Sequence, residues 1–496
     1  MISKFELQAF RCFKEKQTLV FAIPNEGKIG SGITYLVGIN NCGKTSFLEG
    51  LKLNATQSIT SSVLRNSDIR SDDIYFAIYD EKNRVVQKLV PVRQGSARLK
   101  NVSSHTGEPP MAIFIPSRRQ WSPVVNNDLG IDNFKNSYSM SNVSLRQRSD
   151  GYIDSQMADI FCSIESDEDS YRRFVSLMRE VFPDFTSFTV EKEESAVIAY
   201  KMNDGARHRA DFLGDGIISV MRIVAYLIIN KNQLIVIDEP ELSLHPSALR
   251  KLSYLLAKSA ERQQILLATH SPYLIDWEYI SNGAKLNHIV YSDGESAIYT
   301  LGEVSKYKGL ITGANWQQPF LMDVVAKEIF FNDNILFTEG QEDVGLLRSE
   351  TGLSDKIRLF GYGARGYHSF RFALELAKDL GVKKAGVLID GGKKEMDEVG
   401  KLKNDYPKYL ITQWDREDIR DKPGCCPLMS DGSPDLDHTR PAKNGYFYEN
   451  GKIKPENELG DYREKIAQIN NYFGGKTPSQ DDEQHTLSGY FGLSDT

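Results

Sequence analysis

Leu234-Ile-Val-Ile-Asp238-Glu239-Pro240-Glu-Leu-Ser-Leu-His245-Pro is the stretch on which the reading of this chain turns. Its unbroken apolar run predicts a strand over Gln233–Ile237, buried on both faces of a parallel sheet. Two acids end that strand. Carboxylates at the tip of a buried strand are costly unless a cation or hydrogen-bond donors meet them. The pair therefore predicts a cation site, with Asp238 as a metal ligand through water and Glu239 placed to polarise an attacking water. The neighbouring sequence repeats the pattern. A long apolar helix over Gly216–Ile229 precedes the acids, a helix over Pro246–Lys258 follows, and a further strand over Gln264–Ala268 ends in Thr-His270-Ser-Pro.

Near the start stands Gly38-Ile-Asn-Asn-Cys-Gly43-Lys44-Thr45, between a short apolar run at Ile33–Val37 and helical spacing at Thr45–Leu53. A glycine-spaced loop between strand and helix, ending in Lys-Thr, turns its backbone N–H groups toward phosphate and adds the field of a helix N-terminus. The loop with its flank (Gly38, Asn40, Asn41, Gly43, Lys44, Thr45 and Ser46) is expected to hold ATP. Lys44 would reach the β- and γ-phosphates and Thr45 would offer its hydroxyl to Mg²⁺. A glycine-rich turn carrying a surface lysine is the plainer alternative, and the acid-ended strand argues against it.

At 496 residues the chain is too long for one ordinary core. With 40% hydrophobic and 26% charged residues it is globular in composition, and a net charge of −7 argues against a uniformly basic nucleic-acid coat while leaving room for a local groove. Five cysteines, Cys425 and Cys426 adjacent and Cys42 inside the loop, do not make a disulfide framework. Without a signal peptide or an apolar run long enough to span a bilayer, the chain reads as soluble, cytoplasmic and free of membrane contact. Alternating strands and helices give an α/β fold. A domain over 1–315 carries a helical arm inserted at about 121–190, a smaller α/β domain covers 331–475, and 476–496 reads as a flexible tail.

The residues carry a resemblance. Asp238-Glu-Pro-Glu-Leu-Ser-Leu-His245-Pro with Ala268-Thr-His270-Ser-Pro resembles ABC-type ATPases of the RecF/SMC branch. By that resemblance His270 contacts the γ-phosphate. Phe212-Leu-Gly214-Asp215-Gly216 takes the place of the signature loop, although it departs from the usual LSGGQ form. ATP is then sandwiched between two head-to-tail ATPase domains, so a homodimer or higher oligomer is expected. Arg11 and Arg118-Arg119 also look like elements of this branch, with ordinary surface ion pairs as the alternative.

Farther on, Phe337-Thr-Glu339-Gly340-Gln-Glu342-Asp343 and Val387-Leu-Ile-Asp390 resemble a TOPRIM domain. The combination is similar to the OLD (overcoming lysogenization defect) family of ATP-dependent nucleases. It implies a role in antiphage defence, DNA or another nucleic acid as partner, and a metal at Glu339 and Asp390. The chain reads Asp390-Gly391-Gly392 where the family carries Asp-x-Asp, so one metal, helped by Glu342, Asp343, Glu395 or Asp397, is the most this site promises. Two other readings remain open: an ATPase scaffold holding a separate nuclease or toxin, as in Septu-type systems, and a RecF-like repair clamp. Arg416, Arg420 and Lys422 beside Asp418 and Asp421 predict a solvated face.

Overall fold

The computed structural model describes residues 1–56, 74–92, 99–103, 112–117, 159–192, 196–209, 215–230, 233–301, 326–340, 343–345, 347–348, 357–361, 367–391, 393–426, 433, 439 and 441–474. The chain divides into two units, Met1–Gln317 and Gln318–Thr496. Both are mixed α/β, as the alternation of elements leads one to expect.

The first unit runs β1 (Ile2–Gln8), β2 (Gln17–Val20), β3 (Ile33–Val37), α1 (Lys44–Thr56), β4 (Tyr75–Asp80), β5 (Val85–Pro91), β6 (Leu99–Asn101) and β7 (Ala112–Ile115). It continues through α2 (Glu168–Val181), β8 (Phe185–Lys192), β9 (Ala196–Met202), β10 (Arg207–Arg209), α3 (Asp215–Ile229), β11 (Leu234–Asp238) and α4 (Pro246–Ser259). β12 (Ile265–Ala268), α5 (Trp277–Asn282), β13 (Lys285–Ser292) and β14 (Glu295–Thr300) complete it.

Its central sheet has the order β14-β13-β3-β12-β11-β7, and every strand except the antiparallel edge β14 is parallel. Strands β3, β11 and β12 are buried along their whole length. That explains why their sequences are continuous rather than alternating. A second, antiparallel sheet of order β2-β1-β4-β5-β6 shares one apolar cluster with α1 and one face of the central sheet. Phe5, Phe10, Phe13, Phe47 and Phe76 fill it, Phe5 meeting Phe47 edge-on at 5.3 Å. Each such ring adds about 2–3 kcal/mol by leaving water.

The expected helical arm is only partly helical. Asp167 caps α2 by accepting the Ser170 N–H, but the chain leaves helix at Phe182 and forms the antiparallel sheet β10-β9-β8. Phe174 of α2 packs on Phe185 and Phe188 of β8, so the strand covers the helix's apolar face. Residues 121–158 and the tail 476–496 lie outside the described residues, as do Arg118, Arg119, Glu342 and Gly392. The five cysteines are free thiols. Among the described residues no helix is long and apolar enough to cross a membrane.

The second unit contains β15 (Asn334–Thr338), β16 (Arg358–Gly361), α6 (Tyr367–Asp379), β17 (Lys384–Ile389), α7 (Lys393–Asp405), β18 (Leu410–Gln413) and α8 (Tyr462–Phe473). All four strands are parallel, in the order β16-β15-β17-β18. After β18, a run poor in regular structure folds around Trp414, Tyr446 and Tyr462, whose ring centroids lie 5.1–5.5 Å apart. Arg416 crosses this cluster, its guanidinium 4.6 Å from the Tyr446 ring and bonded to the Gly445 and Glu458 carbonyls. Asp418 is buried and paired with Lys422 at 2.7 Å and Lys443 at 3.4 Å. The solvated face expected of these charges is thus anchored inward, Arg416 on carbonyls and a ring face and Asp418 on two lysines whose side chains stay exposed.

One side chain ties the start of the chain to the central sheet. Gln264, buried just before β12, accepts the Ile2 N–H at 2.8 Å and donates to the carbonyls of Ile2 at 2.7 Å and Ala22 at 2.9 Å. Replacing it by leucine strands these buried backbone groups and is expected to cost about 1–3 kcal/mol. Urea unfolding of Gln264→Leu checks this, and an unchanged midpoint would show the junction to be held by packing alone.

Candidate functional site

The carboxyl ends of β3, β12, β11 and β7 lie side by side, and ligands bind at such edges in parallel α/β sheets. Each strand delivers one component. From β3 comes the Gly38–Gly43 loop, in which Gly38 has φ 146°, Asn41 62° and Gly43 113°. A Cβ on Gly38 would stand 2.4 Å from the Ile289 carbonyl, and one on Gly43 would stand 2.7 Å from the Cys12 sulfur. Glycine is thus demanded both by conformation and by space. Ser296 of β14 steadies the loop from outside, its hydroxyl donating to the Cys42 carbonyl at 2.6 Å.

Lys44 is buried, and its ammonium curls back to donate to the carbonyls of Gly38 at 2.9 Å and Ile39 at 2.8 Å. Burial lowers its pKa, while Cys42, Glu239 and Asp238 counter the shift. Asn40, Asn41 and Thr45 are exposed and Ser46 is half-buried, so the loop's rim and the first turn of α1 face outward.

From β11 come the acids. Asp238 is buried, and its carboxyl is pushed up to about 6 by burial and by the charges of Glu239 and Glu241, with Lys44 and the Ser117 hydroxyl opposing. Glu239 adopts a left-handed φ of 48° and anchors its N–H on the Ala268 carbonyl at 2.8 Å. Such a conformation in a non-glycine residue costs on the order of 1–3 kcal/mol, the kind of strain that gathers at functional sites.

From β12 comes His270. Its Nε2 lies 3.6 Å from Glu239 Oε1, and its ring bonds the Gly38 backbone carbonyl. Burial, then the Lys44 charge, lowers it to about 4, so the imidazole is neutral at ordinary pH. The structure thus gathers Gly38, Gly43, Lys44, Asp238, Glu239 and His270 at one edge. Gly214 lies outside the described residues, and Asp215 opens α3. A Cβ on Gly216 would stand 2.5 Å from the Ser243 carbonyl, so the first turn of α3 touches the loop that follows the acids. Arg11 pairs with Glu49 of α1.

Three contributors escaped the sequence reading. Ser117 follows β7, an edge strand that no motif marks. Ser296 reaches the loop across 254 residues of sequence. Glu241 stood in view within Asp238-Glu-Pro-Glu, but only its contact with the His270 N–H at 2.6 Å singles it out.

In the second unit, Glu339 and Asp390 end the adjacent strands β15 and β17, and Glu339 Oε1 accepts the Asp390 N–H at 3.0 Å. Asp343 accepts the Gly340 N–H at 2.8 Å. Burial and the charges of Asp343, Glu339 and Asp418 push Asp390 up to about 9, with Lys443 opposing. Asp418 is the neighbour that sequence gave no sign of. Yet among the described residues no group of three His, Cys, Asp or Glu side chains is placed to hold a metal ion. Glu342 and the side chains of Glu395 and Asp397 lie outside the described residues.

Known proteins bear on the chain in several ways. Residues 4–196 match the AAA domain family model, and residues 134–276 match the model described as AAA domain, putative AbiEii toxin, Type IV TA system. With the loop and the acid-ended strand, these matches define an ATPase domain of the AAA class. An uncharacterized protein of Methanocaldococcus jannaschii, MJECL11, is 35% identical over 95 residues, which are 18% of this chain and 83% of that one. The chain belongs to the same family as that protein. Solved SMC head domains are similar too. That of Thermotoga maritima is 14% identical, covering 60% of this chain and 97% of that one with TM-score 0.37. That of Pyrococcus furiosus, bound to the C-terminal domain of ScpA, is 14% identical, covering 63% and 99% with TM-score 0.42. Overlaps this loose add nothing to the geometry above.

The acids make a sharp stability prediction. Because folding raises Asp238 from 3.8 to about 6, its ionisation opposes the fold. Stability from this residue falls as pH rises from 3.8 to 6 and stays low above. Asp238→Asn is expected to unfold at higher urea than the parent at pH 7–8, with the gain vanishing near pH 4. A loss of stability at pH 7 would contradict the assigned burial cost.

Proposed function

We propose that this chain is an ATP-hydrolysing switch that works as a dimer, in a bacterial antiphage system, and governs nucleic-acid cleavage. The observation that carries the reading is the convergence of Lys44, Asp238, Glu239 and His270 on the glycine loop at one sheet edge. Lys44 would exchange its two loop carbonyls for the β- and γ-phosphates of ATP. The Thr45 hydroxyl and the Asp238 carboxylate would hold Mg²⁺, which supplies neutralising charge to those phosphates. Glu239 would orient the attacking water and take its proton. Neutral His270 would turn its one N–H from the Gly38 carbonyl toward the γ-phosphate without adding charge. Gly214 and Gly216, at and before the N-terminus of α3, would present N–H groups to the nucleotide of a second copy in the ABC-type, head-to-tail arrangement.

Support for the defence role is the resemblance to the OLD family together with the toxin–antitoxin wording of the matched model. For the output, Gly392, which stands where the second aspartate of the pair would be, favours a partner effector, a separate nuclease or toxin, over cleavage by the chain itself. Asp390 itself stands among Asp343, Glu339 and Asp418, whose charges together with burial push it up to about 9.

Two experiments test these halves. Lys44→Ala is expected to lose nucleotide binding, whereas Glu239→Gln should bind ATP, turn over at least ~100-fold more slowly and accumulate as a dimer in light scattering. Unchanged turnover in Glu239→Gln would refute the assignment of the base. Plasmid DNA mixed with the purified chain, ATP and Mg²⁺ or Mn²⁺ is expected to stay intact. Cutting that disappears in Asp390→Ala would overturn the partner-effector reading.

A further inference from the structure

We infer that Glu241 is a positioning residue that sets His270 against Glu239 and the glycine loop. The inference rests on the ATPase reading above and adds a residue to it. β11 and β12 run parallel with Asp238 opposite Ala268, so their two exit loops leave the sheet together. Two cross-links join those loops. Nearer the sheet, the Glu239 N–H bonds the Ala268 carbonyl at 2.8 Å; farther out, the His270 N–H bonds Glu241 Oε1 at 2.6 Å. The Glu241 carboxylate also accepts the Thr269 hydroxyl, which in turn accepts the Ser271 N–H at 2.9 Å. One side chain thus fixes three successive residues of the β12 exit.

What this holds in place is the imidazole. The His270 ring meets the Gly38 carbonyl and lies with Nε2 3.6 Å from the Glu239 carboxylate, and the height of its backbone governs both contacts. Take away the outer cross-link and the inner one still anchors Glu239, but the His270 end of the pair is loosened. A charged acceptor suits the task because a bond from N–H to carboxylate is stronger and shorter than one to a neutral oxygen. Nature of the site also explains the otherwise unfavourable third acid: burial and the neighbouring Glu239 push the Glu241 carboxyl up, and the N–H and hydroxyl donors pull it back. Groups that orient a functional side chain in this way commonly matter by about 10–100-fold in activity.

The test is a double-mutant cycle on ATP hydrolysis. Glu241→Ala is expected to lower kcat about 10–100-fold with little change in KM, and Glu241→Gln, which keeps an acceptor oxygen, to retain most activity. In a His270→Ala background, Glu241→Ala should have no further effect on kcat. An equal loss in both backgrounds, or no loss in either, overturns the inference. Should the parent protein fail to hydrolyse ATP, it is the ATPase reading that falls, and the inference is then decided without turnover. The ¹⁵N-labelled ring of His270, assigned by its disappearance in His270→Ala, is expected to shift in nucleotide-free Glu241→Ala and stay put in Glu241→Gln. An unmoved resonance in Glu241→Ala overturns it.

Discussion

A buried carboxylate at the end of an apolar strand is the constraint on which the first unit depends. Asp238 closes β11, whose five residues are all buried, and it has two further acids within three residues of it. Desolvation and like charge both oppose its ionisation, and together they outweigh the single ammonium of Lys44. The unit accepts that cost by meeting the acid with Lys44 beyond β3 and the Ser117 hydroxyl beyond β7, while His270 beyond β12 faces the adjacent Glu239. A parallel sheet makes this possible because all its carboxyl ends lie on one edge. A site whose charge is only partly compensated is also one that a dication would stabilise.

The local part of this arrangement was legible in sequence because its causes are local. Gly38 and Gly43 are required by positive φ and by neighbours closer than any Cβ allows, and those needs write glycine into fixed positions. The strands β3, β11 and β12 could be read from continuous apolar runs since burial on both faces removes alternation. Ser117, Ser296 and Gln264 were not legible, as each serves through hydrogen bonds to residues far away in sequence, and no spacing rule announces such bonds. The arm at 121–190 was misread in part for a different reason. Helical spacing in Tyr171–Met178 is real, but β8 begins at Phe185, and a register shift between Phe185 and Ser187 lets Phe185 and Phe188, three apart as on a helix, pack on the same side.

Charge patterning misled in the second unit as well. Arg416, Asp418 and Lys422 alternate in sign, which on a helix would describe a wet surface. Here they follow β18 in a segment without regular backbone pairing, where carbonyls such as those of Gly445 and Glu458 need donors. Arginine satisfies them while stacking on Tyr446, so the charges become internal supports.

The two units meet the same electrostatic problem with opposite results. Asp238 faces a lysine delivered on a glycine loop, and at about 6 it is mostly ionised at neutral pH. Asp390 faces Asp343, Glu339 and Asp418 with Lys443 as the opposing cation, and Lys443 is itself held by Asp418. At about 9 it keeps its proton. A cation arriving at the first site meets a ready anion, whereas one arriving at the second must first displace a proton from a buried acid. The asymmetry lies in the neighbours: two acids and a loop lysine in the first unit, three acids and an already paired lysine in the second.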